Sequence, residues 1–100
     1  MNERRYPELF QFFAGYFHED WPVDAATADD VVETFMGTHS RDECLQLAQL
    51  IDAFAAATPD DQALEHALFN DLGCYYVPAS DGRSVRDWLQ HVSGRLRARM

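Results

Sequence analysis

Apolar positions recur along most of this chain at steps of three and four, the spacing that lines one face of an α-helix. After Pro7, the residues Leu9, Phe10, Phe12, Phe13, Tyr16 and Phe17 form a broad aromatic face. Pro7 suits a first helical turn, because its missing N–H would be unpaired there anyway. Pro22 blocks continuation, so this helix is expected to end between His18 and Trp21. Thr27 caps a second helix, with Val31, Val32, Phe35 and Met36 on its apolar side and Gly37 as its end. Ser40 and Glu43 have the spacing of a capping box, in which hydroxyl and carboxylate each accept an otherwise unpaired backbone N–H. Cys44, Leu47, Leu50, Ile51 and Phe54 then stripe a third helix.

Thr58-Pro59-Asp60-Asp61 opens a fourth helix, where proline fits and the acids face the positive pole of the helix dipole. Leu64, Ala67, Leu68 and Leu72 continue it, and Gly73 supplies a left-handed stop. Cys74-Tyr75-Tyr76-Val77 has strand-like composition but stands alone between Gly73 and Pro78, so it reads as an extended connector. Neighbouring side chains on such a segment face opposite ways, which turns one tyrosine inward and leaves the other available. Ser84 with Asp87 caps a last helix, striped by Val85, Trp88, Leu89, Val92 and Leu96. The expected fold is all-α, a single small domain over residues 1–100 with its core within about 6–96, built as a compact bundle of about five short helices. One hundred residues bury one core and leave too little for two.

Charge adds what periodicity does not. Seventeen acids oppose eight basic residues, and every basic residue is arginine. Residues 6–82 hold fifteen acids and one arginine, Arg41, a net of −14, whereas residues 83–100 net +4. Such a body repels nucleic acid and anionic lipid, whose binding needs Lys and Arg to displace counterions. It attracts a basic partner and speeds the encounter. Arg95, Arg97 and Arg99 complement the negative pole at the end of the last helix rather than forming a nucleic-acid surface.

No apolar run approaches the roughly 18 residues of a membrane span, and MNERRYPELF lacks the apolar core of a signal peptide. Cys44 and Cys74 have neither CxxC spacing nor a disulfide-dense setting. Both are expected to be reduced and buried, in a cytoplasmic protein.

Catalytic-looking side chains gather at GYFHEDW, residues 15–21, where His18, Glu19 and Asp20 lie between aromatics. Consecutive helical residues point about 100° apart, so these three cannot converge within regular helix. The fourth residue after His18 is Pro22, which rules out H-E-x-x-H, and His39, His66 and His91 are scattered. Asp29-Asp30 and Asp60-Asp61 sit at helix starts, where the dipole explains them. No nucleophile elbow, P-loop or dinucleotide fingerprint occurs. These residues therefore favour a protein-binding module over an enzyme, with no catalytic residues, no metal and no cofactor expected.

Several segments together resemble a known family. Tyr6-Pro7-Glu8-Leu9, the Gly15–Trp21 stretch, Asp29-Asp30-Val31-Val32, Leu72-Gly73-Cys74-Tyr75-Tyr76 and Val85-Arg86-Asp87-Trp88-Leu89 fall in the order seen in contact-dependent growth inhibition immunity proteins of the CdiI type. The resemblance runs from about residue 6 to about residue 92, and Tyr-Phe-His-x-Asp-Trp is its most specific part. It implies a bacterial cytoplasmic protein that neutralises the C-terminal toxin domain of a cognate CdiA effector. Such toxins are frequently nucleases, including ones that cleave tRNA. An acidic inhibitor can occupy a nuclease's basic substrate groove by mimicking phosphates. On that implication the toxin-binding candidates are Glu19, Asp20, Asp24, Asp29, Asp30 and Glu33, with Asp60, Asp61, Glu65 and Asp71 as a second face. Tyr16, Phe17, Trp21 and Trp88 are expected to pack, and His18 and Asp20 to hydrogen-bond so as to hold the turn before Pro22. The competing readings are an acidic helical regulatory or adaptor protein with no toxin partner, and an enzyme using His18 with a nearby carboxylate.

Overall fold

The computed structural model describes residues 7–98, and of Asp24 only the backbone. The chain runs through α1 (Pro7–Tyr16), α2 (Trp21–Asp24), α3 (Ala28–Thr38), α4 (Arg41–Ala57) and α5 (Asp61–His66). A π-helical turn, Ala67–Asp71, continues α5, and a 3-10 turn, Pro78–Asp81, precedes α6 (Val85–Arg97). The fold is all-α, with no strand among the described residues.

Local chemistry sets where most helices start. Thr27, Ser40 and Ser84 each accept the backbone N–H three residues on, at 3.1, 3.1 and 3.0 Å. At Ser40 the box closes, because Glu43 accepts the Ser40 N–H at 2.8 Å. Each such cap contributes about 1 kcal/mol. Three expected boundaries shift. Pro22 does not merely stop α1, which already ends at Tyr16; it lies in the first turn of the new helix α2, where a missing N–H costs nothing. Gly37 lies inside α3 rather than ending it, since the Thr38 hydroxyl and the His39 ring take up the carbonyls of the last turn. Pro59 stays outside α5, whose cap is Asp60, accepting the Ala63 N–H at 3.3 Å.

Apolar faces then meet in one core. Trp88 of α6 is 1% exposed and sits among Phe13, Phe17 and Tyr76, with ring centroids at 5.9, 5.1 and 4.9 Å. Phe12 joins this cluster to Phe35 of α3 at 5.2 Å. Leu47, Ala48, Ile51 and Phe54 of α4 face Leu89, Val92 and Leu96 of α6 across the same core. Phe10, expected inside, is 38% exposed, because α1 buries the stripe of Leu9, Phe12 and Phe13 and turns Phe10 away. Cys44 and Cys74 are buried, and neither is in a disulfide. Burial pushes the Cys74 thiol up to about 12.

Candidate interaction surface

GYFHEDW forms the end of α1 and the turn into α2. Phe17 is fully buried and packs on Trp88, while Tyr16 and Trp21 are half-buried against the core. His18 Nδ1 accepts the Asp20 N–H at 3.0 Å, and the His18 carbonyl accepts the Trp21 N–H at 3.0 Å. The ring thus locks the turn, as expected. The Asp20 contribution comes from its backbone, which leaves its carboxylate facing outward.

His18 borders a hollow of about 270 Å³ with Tyr16, Trp21 and Thr34. No carboxylate among the described residues stands with this histidine in that hollow, as an enzyme reading would require. Among the described residues no group of three His, Cys, Asp or Glu side chains could hold a metal ion.

The expected acidic candidates divide sharply. Asp29 is half-buried and accepts His91 Nε2 at 2.8 Å, with Arg95 Nε at 3.9 Å. Glu33 pairs with Arg95, Asp61 with Arg86 at 2.9 Å, and Asp52 with Arg97. Asp60 is occupied as the cap of α5, and Asp71 is half-buried at the end of the π turn. Glu19, Asp20, Asp30 and Glu65 are exposed, and no basic side chain among the described residues pairs with them. The Asp24 side chain lies outside the described residues.

Arg95 and Arg97 lie in the last turn of α6, where the dipole expectation places them, and from there they also reach sideways to α3 and α4; Arg99 lies outside the described residues. These pairs join positions up to 62 apart in sequence, and no local spacing signals them.

The connector Gly73–Val77 crosses the same side of the molecule, its Tyr75 N–H bonded to the Phe17 carbonyl at 2.8 Å. Tyr76 is buried and Tyr75 is 60% exposed, the alternation expected of extended chain. Exposed tyrosines are favoured interface anchors.

The family model described as CdiI immunity protein matches residues 5–96. Among solved structures, a chain of the crystal structure of the CdiA-CT/CdiI complex from Y. kristensenii 33638 superposes with a TM-score of 0.86. It is 29% identical in sequence, and the match covers 94% of this chain and 95% of that one. No curated protein matches.

Proposed function

Because the chain belongs to the CdiI immunity protein family, we propose that it binds the C-terminal toxin domain of a cognate CdiA effector and holds it inactive. The similar chain from a CdiA-CT/CdiI complex supports a partner of this kind. In this reading the toxin domain is a nuclease, tRNA being one candidate substrate, and its basic groove is the surface covered. Binding takes place in the cytoplasm, where an incoming toxin would meet its substrate.

One observation carries the acidic mode of binding. Among the described residues, no basic side chain pairs with Glu19, Asp20 or Asp30 around the turn into α2 and the start of α3, while nearby Asp29 and Glu33 are held by α6. Uncompensated exposed carboxylates steer a basic partner into place and oppose phosphate. Inhibition then needs only occlusion and a slow off-rate. Glu65 on α5 belongs to a second acidic face, to be tested separately.

The test is co-expression with the toxin domain encoded beside this chain, followed by rescue, co-purification and an RNA-cleavage assay. Wild type is expected to restore growth, co-purify and stop cleavage. Combined Glu19→Arg, Asp20→Arg and Asp30→Arg is expected to weaken binding at least about tenfold, with a shallower salt dependence. Unchanged affinity in a folded triple variant would reject this face. A toxin domain that leaves nucleic acid intact would reject the nuclease reading.

A further inference from the structure

We propose that the groove between α1, α3 and α4 is an anchor site for a basic side chain, an arginine or lysine, of the bound toxin; this rests on the toxin-binding reading above. The groove encloses about 310 Å³. Its floor is aromatic. His39 stacks on Phe35 with centroids 3.9 Å apart and planes 14° off parallel, and Tyr16 stands edge-on to Phe35 at 5.5 Å. Such rings accept both the alkyl stem of a long basic side chain and its cationic head.

The rim supplies the charge. Glu8 and Glu43 both line the groove, and no arginine among the described residues does. Each carboxylate is held in place by one oxygen, Glu8 Oε2 by Gln46 Nε2 at 3.3 Å and Glu43 Oε1 by the Ser40 N–H at 2.8 Å. The Ser40 side chain also hydrogen-bonds the Glu43 carboxylate, and the other Glu8 oxygen has no hydrogen bond among the described residues. The backbone N–H of Ser40 holds Glu43 below the usual carboxylate range, which keeps it charged. Carboxylates fixed in advance lose little freedom when a cation arrives.

Other occupants fit less well. An apolar side chain would match the floor but would strip water from two carboxylates without pairing them. An acidic one would be repelled. Tyr16 also borders the hollow beside His18, and Glu19 and Asp20 follow that histidine in the chain.

Gln46 lines the groove and is exposed, which makes it the place to test. Gln46→Arg puts a competing cation beside Glu8 and Glu43, whereas Gln46→Glu adds a third carboxylate. Affinity for the toxin domain encoded beside this chain is measured by titration calorimetry, with thermal melts to show that each variant folds. Gln46→Arg is expected to weaken binding about tenfold or more, and Gln46→Glu to leave it unchanged or tighter. Glu8→Gln with Glu43→Gln is expected to weaken it as well, since glutamine at position 43 still closes the capping box. If Gln46→Arg binds like wild type, the groove proposal falls while toxin binding stands. If wild type itself neither binds nor protects, the toxin-binding reading falls. A wild-type dimer in sedimentation that Gln46→Arg dissolves would assign the groove to a second copy and overturn the proposal.

Discussion

Arg86 satisfies more of the backbone than any helix cap among the described residues. Its Nε donates to Asp61 at 2.9 Å, Nη1 to the Ala55 carbonyl at 2.9 Å, and Nη2 to the carbonyls of Thr58 and Pro59 at 2.7 and 3.1 Å. One planar group thereby closes the end of α4, fixes the entry to α5 and ties both to α6. A lysine ammonium keeps the charge but cannot present that fork. Arg86→Lys is expected to cost about 2 kcal/mol, from two or more lost bonds of about 1 kcal/mol each, measured by urea unfolding. A loss under about 0.5 kcal/mol would show that water replaces the fork at no cost. Glu19 is the opposite case, exposed and with no basic partner among the described residues, where a neutral substitution should leave stability nearly untouched.

At the scale of elements, the end of the π turn limits what the chain tolerates. The wide turn bonds the Leu72 N–H to the Ala67 carbonyl at 2.9 Å, and the Cys74 N–H to that of Leu68 at 3.1 Å. Gly73 between them has φ +71°, and a Cβ there would meet the Ala14 Cβ at 3.2 Å. Gly73→Ala is expected to destabilise by about 1–3 kcal/mol, combining left-handed strain with the crowding of α1. A thermal melt that does not shift would mean that the connector relocates freely.

The same elements show what was legible. Gly73 and the caps at Thr27, Ser40 and Ser84 are local signals, complete within four residues, and the structure uses each of them. Helix α2 was hidden because proline stops one helix and starts another with the same chemistry. The arginine pairs were hidden because they depend on how α6 lies against α3 and α4. Residue types alone marked Asp29 and Asp30 as equals; packing made one a strut and left the other at the surface.

For the molecule as a whole, two buried groups make stability sensitive to alkali. Burial is the main reason that the Tyr76 phenol is pushed up, and its O–H, donated to Asp81 at 2.5 Å, adds to the effect. The Cys74 thiol is likewise raised by burial, to about 12. Unfolding frees both to lose their protons near their ordinary values, roughly 8.5 for cysteine and 10 for tyrosine. The folded state keeps protons that the unfolded state gives up, so this stability is whole below about pH 8 and declines as pH rises through 9 and beyond 10. Denaturant midpoints at pH 7, 9 and 10.5 should fall in that order, and Tyr76→Phe should flatten the last interval. A midpoint constant across all three would contradict the burial of both groups.

The division between struts and surface charges also bears on inheritance. Asp29, Glu33, Asp52 and Asp61 are bound to partners on α6, so a change at any of them is felt by the fold. Glu19, Asp20 and Asp30 answer to no such partner among the described residues. Mutations can accumulate there with little loss of the narrow stability margin on which a small domain depends. With the binding face proposed above, a lineage pressed to follow a changing adversary would rewrite its recognition at these positions and keep its architecture.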